Sequence, residues 1–227
     1  MKISEVFATI QGEGLLAGVP SLFIRTSGCN LRCRWCDTPY TSWSPEGADW
    51  PLDRLLDWTA AYPSYRHVVL TGGEPMIQPE LPALTRELRA RGLHITIETA
   101  GAIDAPVACD LMSISPKLAN STPWHRDPQW AGRHERDRIN AAVLARLTGD
   151  YEYQLKFVVE SEPDLGEIQT LARTLKAPPE RVLLMPEGVD EPVLRERSRW
   201  LVELCKQHGY RFCPRLHIAL WGARRGV

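Results

Sequence analysis

The sequence predicts an α/β fold: an incomplete, open barrel of the (β/α)6 type, a partial TIM barrel. Three observations lead there. Six short segments rich in β-branched and aliphatic residues alternate with segments of helical apolar spacing, the pattern of βαβ units around a parallel sheet. Six such strands in 227 residues are too few for a closed eight-stranded barrel, which takes about 250 residues. The residues that carry chemistry also fall just after strands, where parallel sheets keep their sites.

Ser21–Thr26 (SLFIRT) reads as a buried strand, and a cysteine-rich loop follows it. Leu52–Ala60 reads as a helix. His67–Thr71 (HVVLT) is a β-branched strand that stops at Gly72-Gly73. Pro79–Arg91 places Leu81, Leu84 and Leu88 at helical spacing and ends at Gly92. His94–Glu98 (HITIE) and Asp110–Ser115 are the next strands. Arg136–Leu147 carries Ile139, Val143, Leu144 and Leu147 and reads as one helix. Gln154–Val159 is a strand, Leu165–Leu175 a helix and Val182–Met185 a short strand. Val193–His208 is a helix with Leu194, Leu201, Val202 and Cys205 near one face. Asn120–Arg138, dense in Arg, His, Trp, Pro and Asp without a period, reads as a loop or insertion. Trp124 and Trp130 among its arginines suggest a nucleic-acid stripe, but Asp127, Glu135 and Asp137 interrupt it. With no repeats and no low-complexity linker, residues 1–227 read as a single domain.

The composition narrows the function. A formal net charge of −1 gives no electrostatic reason to bind nucleic acid or an anionic membrane. The opening MKISEVFATIQGEG has no apolar run of signal-peptide type, and no stretch of the chain is apolar enough to span a membrane. Cys109, Cys205 and Cys213 are isolated and read as small buried hydrophobes, which points to a reduced, cytoplasmic setting.

The remaining cysteines are different. Cys29, Cys33 and Cys36 stand as GCNLRCRWC, three thiols within one loop. Structural zinc sites and simple iron–sulfur carriers take four protein ligands. Three thiolates on a 4Fe–4S cluster leave one iron open for chemistry. The plain alternative is a zinc-binding module with a histidine as fourth ligand, but no histidine lies near Cys36 in sequence. Gly72-Gly73-Glu74-Pro75, at a strand end, suits either a close backbone approach to a ligand or an ordinary turn. Ser115-Pro116-Lys117 also follows a strand and offers a hydroxyl and a cation. Lys156 is a charge inside the apolar run QLKFVV, aimed either at solvent or into a pocket.

The triplet, with aromatic Trp35 before its last cysteine, resembles the radical S-adenosylmethionine (SAM) superfamily. A wider resemblance runs through Phe7–Thr38, Thr71–Pro75, Ile97–Gly101 (IETAG), Ile114–Lys117, Leu155–Val159 and the tail HIALWGARRGV. It is to the 7-carboxy-7-deazaguanine synthase family. The resemblance implies a 4Fe–4S cluster on Cys29, Cys33 and Cys36, with SAM on the open iron, and a Mg²⁺ ion on Thr38. It implies the substrate 6-carboxy-5,6,7,8-tetrahydropterin, the product 7-carboxy-7-deazaguanine, loss of ammonia and regeneration of SAM. SAM contacts are implied for Trp35, Cys36, Asp37, Gly73, Glu74, Ser115, Pro116 and Lys117. They extend to Met185, Pro186, Glu187 and Gly188, where MPEG replaces the QPMD of other members and leaves backbone contact. Pterin contacts are implied for Ile10, Gln11, Gly12, Glu13, Thr71 and Glu98. Arg25 is implied for the substrate carboxylate, which suits its bidentate fork. Val227 is a candidate through its terminal carboxylate. The family also implies a homodimer and an external electron donor of flavodoxin or ferredoxin type.

An activase that places a glycyl radical on a partner protein shares the cysteines and GGEP, but does not need the QGEG segment or Arg25. The cluster reading is open to direct test. Replacing Cys29, Cys33 or Cys36 by alanine is expected to abolish iron–sulfur loading and SAM cleavage. Small apolar replacements of Cys109, Cys205 or Cys213 are expected to keep both, measured by iron and sulfide content after anaerobic reconstitution. Loss of the cluster on changing Cys109 alone contradicts the assignment.

Overall fold

A computed structural model describes residues 1–227. Nine strands form one sheet: β1 (Lys2–Ile10), β2 (Pro20–Thr26), β3 (Ala48–Asp49), β4 (His67–Gly72), β5 (His94–Thr99), β6 (Leu111–Ile114), β7 (Tyr153–Val159), β8 (Val182–Pro186) and β9 (Arg211–Phe212). Their order is β3-β1-β2-β4-β5-β6-β7-β8-β9. Pairing is parallel from β2 through β9, and antiparallel only where β1 meets β2 and β3. The two ends do not pair with each other, so the sheet is an open partial barrel. Each edge is a strand of two residues, too short to recruit another chain.

The helices are α1 (Pro39–Ser42), α2 (Leu52–Ala60), α3 (Leu81–Ala90), α4 (Pro128–Asp137), α5 (Ala141–Asp150), α6 (Asp164–Thr174), α7 (Glu191–His208) and α8 (Leu216–Trp221). Leu81, Leu84 and Leu88 of α3 are fully buried, as their spacing requires. Each such leucine contributes about 1.5–3 kcal/mol. Gly209 closes α7 in the left-handed conformation, φ 70°.

Two expectations change. Arg136–Leu147 is not one helix: α4 ends at Asp137 and α5 starts at Ala141. Asn140 caps α5, its Oδ1 accepting the Val143 N–H at 3.2 Å. Nor is Asn120–Arg138 wholly a loop. Asp127 caps α4 through the N–H groups of Gln129 and Trp130, both at 3.1 Å, and Pro128 occupies the first turn. That helix buries only Ala131 and His134, a strip too narrow to show as a period. No local pattern in the sequence marks β1. Seven of its nine residues are only half-buried, so it carries no clear alternation and is fixed by pairing with its neighbours.

The period of two along each strand sorts residues between core and cavity. Leu22 and Ile24, Val68 and Leu70, Ile95 and Ile97, and Leu155 and Phe157 join the helices in one large apolar cluster. The intervening Phe23, Arg25, Thr71, Glu98 and Lys156 face a cavity inside the open barrel. At the cavity floor the turn after β4 lies directly against the cysteine loop. A Cβ on Gly73 would stand 2.1 Å from the Gly28 carbonyl oxygen and 2.7 Å from that of Thr41. Gly73→Ala is therefore expected to destabilise the protein by about 1–3 kcal/mol. Gly132→Ala, in α4 with nothing within 4 Å, is expected to stabilise by about 0.5–1 kcal/mol. Urea unfolding of both variants checks the contrast; equal effects would refute it.

Candidate active site

The cysteine loop leaves the end of β2 and is stitched down on all sides. Gly28 donates to the Thr41 carbonyl at 2.8 Å, and Glu74 N–H donates to the Gly28 carbonyl at 2.9 Å. Arg34 N–H donates to Ser121 O at 2.8 Å. The Trp43 indole holds Cys33 O at 2.9 Å, and that of Trp35 reaches Asn120 Oδ1 at 3.2 Å. Arg32 N–H donates to His134 Nδ1 at 3.1 Å, while His134 Nε2 lies 2.9 Å from Ser121 Oγ. Ser121 Oγ in turn donates to Leu118 O. This network assigns His134 the Nε2–H tautomer.

Cys29, Cys33 and Cys36 all line the cavity as free thiols. Burial pushes the Cys29 thiol up to about 12 and raises Cys33 as well. Thiolates in such surroundings require a strong local cation, which an iron–sulfur cluster supplies. Both ring nitrogens of His134, the histidine bonded to this loop, are already engaged. With the histidine bonded to the loop already engaged, the three thiols fit a three-cysteine cluster site.

Across the cavity lies a chain of alternating charge. Lys156 Nζ donates to Glu13 Oε2 at 2.6 Å and lies 3.6 Å from Glu98. Gln11 Nε2 donates to Glu98 Oε1 at 3.1 Å. Arg215 Nε donates to Glu13 Oε1 at 3.1 Å, and its Nη2 donates to Asp37. Burial alone would raise the Glu13 carboxyl, but Lys156 and then Arg215 outweigh it and hold it well below the usual carboxylate range. Burial likewise opposes the charge on Lys156, and Glu13 and Glu98 more than restore it. Glu13, Asp37, Lys156 and Arg215 are therefore charged at neutral pH.

Arg25 donates through Nε to Glu5 at 2.6 Å, leaving both terminal nitrogens for a ligand. Thr38 precedes α1 yet makes no side-chain cap bond; its hydroxyl lies 3.8 Å from Cys36 Sγ. Lys117 Nζ donates to Ser115 Oγ at 2.8 Å, 5.7 Å from the centre of the Trp35 ring. Ile10, Gly12, Asp37, Thr71, Gly73, Met185 and Val227 also line the cavity.

The structure does not bring Glu74, Pro116, Pro186, Glu187 or Gly188 to that wall. Both Glu74 oxygens turn inward, accepting the N–H groups of Met76 at 3.1 Å and Ala100 at 2.9 Å. Glu187 pairs with Arg197, and the Gly188 carbonyl accepts from Arg215. Lys156 resolves to the pocket, 4% exposed. Sequence reasoning missed Arg215 and His217, which reach the cavity from the C-terminal segment. Arg215 lies outside every motif, and His217 opens the tail HIALWGARRGV without having been given a role. The sole hint is that Arg215 interrupts an otherwise apolar approach to α8.

The profile of the radical SAM superfamily matches residues 23–116. The 7-carboxy-7-deazaguanine synthase of Halobacterium salinarum is 45% identical, over 97% of this chain and 90% of that protein. The synthase of the same name from Rhodopirellula baltica is 46% identical, over 99% and 88%. That of Rhodospirillum rubrum is 48% identical, over 96% and 91%. Among solved structures, QueE from Escherichia coli superposes with a TM-score of 0.68 at 28% identity, covering 93% of this chain and 92% of that one.

Neutral His134 makes acid sensitivity predictable. Burial, then Arg138, pushes its pKa from 6.5 down to about 4. The unfolded chain therefore binds a proton that the folded chain refuses. The stabilisation is complete above about pH 6.5, is lost progressively down to about pH 4, and falls no further below that. His134→Gln is expected to flatten this segment of the stability profile, read by urea unfolding from pH 7.5 to 4.5. Parallel profiles for the two proteins would sink the assignment.

Proposed function

The chain belongs to the radical SAM superfamily and, within it, to the 7-carboxy-7-deazaguanine synthases, and on that premise we propose that it converts 6-carboxy-5,6,7,8-tetrahydropterin to 7-carboxy-7-deazaguanine and ammonia. The observation that carries this reading is the single cavity that unites the three cysteines with the Gln11, Glu13, Glu98 and Lys156 set. When bound, the cluster and SAM supply a 5′-deoxyadenosyl radical that takes hydrogen from carbon 6 of the pterin and is later restored to SAM.

The residues of this chain hold and orient. Cys29, Cys33 and Cys36 hold the cluster. Trp35, Asp37, Gly73, Ser115 and Lys117 surround the SAM position, with Met185 at its edge. Glu13, held ionised by Lys156 and Arg215, and Glu98 accept from the N–H groups of the pterin. Ile10 and Gly12 pack against the ring, and Thr71 offers it a hydroxyl. Arg25, steered by Glu5, presents its terminal nitrogens to the substrate carboxylate, a pairing of fork and carboxylate. Val227 closes the cavity from the tail. SAM contact by Glu74, Pro116 and Pro186 through Gly188 loses support, because those residues lie off the wall.

Mg²⁺ is proposed on Thr38. Its hydroxyl, held only by long contacts to Thr41 Oγ1 at 3.4 Å and Cys36 Sγ at 3.8 Å, supports this, since Mg²⁺ takes few protein oxygens and completes its shell with water and substrate. The electron comes from a flavodoxin- or ferredoxin-type carrier, and the enzyme works as a homodimer of one-domain subunits in the cytoplasm. No helix is long and apolar enough to cross a membrane. The activase and zinc-module readings gain nothing from the relatives.

Incubating the anaerobically reconstituted protein with SAM, reductant and the carboxypterin is expected to yield the deazaguanine. SAM cleavage without that product would refute the substrate. Thr38→Ala is expected to keep the cluster and SAM binding while losing most stimulation by magnesium, and Thr38→Ser to retain it. Positioning losses of this kind reach about 100-fold for small displacements. Rate against magnesium concentration decides; full stimulation of the alanine variant places the metal elsewhere.

A further inference from the structure

Arg215 lies outside every sequence motif, yet its guanidinium ties three separate segments together. It leads into α8 and is 8% exposed. Nε donates to Glu13 at 3.1 Å, Nη1 to the Gly188 carbonyl at 2.5 Å, and Nη2 to Asp37. Glu13 sits on irregular chain after β1, and Asp37 on irregular chain after the last cysteine. Neither position is fixed by a regular element. Glu13 has a second holder in Lys156. Asp37 has no ion pair but the one with Arg215.

A planar guanidinium sets the relative placement of its acceptors. Three donors leave it in fixed directions, and the bond to Gly188, between β8 and α7, keeps the plane from pivoting. An ammonium radiates its donors from a single point and imposes no such spacing. The backbone reinforces the tie beside it: Leu216 N–H donates to Gly12 O at 2.9 Å. His217 covers Gly12 so closely that a Cβ there would lie 2.1 Å from its Nδ1. The start of α8 and the Gln11–Glu13 segment therefore move as one body, and Arg215 alone links that body to Asp37 by side chain.

We propose that Arg215 is a positioning residue that fixes the substrate-side carboxylate of Glu13 relative to the SAM-side carboxylate of Asp37, and so keeps the hydrogen donor in reach of the radical. This rests on the reading above that Glu13 meets the pterin and Asp37 meets SAM. A purely structural tie has a different signature: removing it lowers stability, but whatever remains folded still uses each radical productively. A positioning tie instead leaves binding largely intact and wastes radicals, because abstraction from carbon 6 depends steeply on geometry.

Arg215→Lys keeps the charge and discards the fork. The reconstituted variant is expected to load its cluster and to bind SAM and carboxypterin, by calorimetry, within about threefold of wild type, while turnover falls at least about tenfold. The 5′-deoxyadenosine released per deazaguanine formed is expected to rise by about tenfold or more, as radicals are quenched rather than returned to SAM. Asp37→Asn is a second, independent cut of the same tie and is expected to raise the same ratio. It serves alone if Arg215→Lys does not fold. A ratio at the wild-type value in the folded variants overturns the proposal, as does a loss confined to affinity. Glu13→Gln separates the two layers. If it weakens pterin binding while Arg215→Lys stays fully coupled, the reading of the site stands and the positioning role falls. If it leaves pterin affinity unchanged, the substrate assignment of Glu13 fails and the proposal falls with it.

Discussion

The rest of the site depends on the backbone contact where the end of β4 meets the start of the cysteine loop. Gly73 stands too close to Gly28 for any side chain, and Glu74 N–H closes onto the Gly28 carbonyl. Gly28 itself takes φ 101° and Gly72 φ 146°, conformations that glycine alone adopts readily. With both chains reduced to backbone, the loop can lie flat on the C-terminal end of the sheet and hold its three thiols toward the cavity. Glu74 contributes from beneath. Its carboxylate is fully buried and raised in pKa by burial, yet it accepts two backbone N–H groups, so it braces the turn rather than touching a ligand.

Opposite the thiols the cavity buries the charges of Lys156, Glu13 and Arg215, which is expensive unless they are fully paired. Here the signs alternate from Glu98 through Lys156, Glu13 and Arg215 to the more exposed Asp37. Each cation serves two carboxylates, and each inner carboxylate oxygen has its own partner. The chain of ion pairs draws on β5, β7, the segment after β1, the cysteine loop and the approach to α8. It therefore forms only when the whole barrel is assembled, and it delivers fixed dipoles to a ligand with little reorganisation at the moment of reaction.

The outer side of the cysteine loop has its own support. α4 and the residues before it meet the loop through His134, Ser121 and Asn120. Arg32 lies 4.3 Å over the Trp130 ring, worth about 0.5–1 kcal/mol at an exposed site. The Arg- and Trp-rich composition of Asn120–Arg138 is thus largely used within the protein, with Arg138 bonded to Glu135, Glu167 and Lys117 O.

The local signals in the sequence determined the parallel strands, most helices and the cysteine loop. Each rests on a short-range rule: β-branched residues in HVVLT and HITIE, a period of 3.6 in α3, three thiols in one loop. They also placed the chemistry at strand ends, because a parallel sheet leaves its loops there. What they could not determine was set by contacts between distant segments. β1 is a strand because β2 and β3 flank it, not because its own residues alternate. The break between α4 and α5 turns on Asn140 capping a helix whose apolar spacing runs on without interruption. Lys156 faces inward because Glu13, far earlier in the chain, supplies the charge that makes its burial tolerable. Arg215 joins the site only because the C-terminal segment returns across the QGEG element, and no local pattern in the residues around it encodes that return.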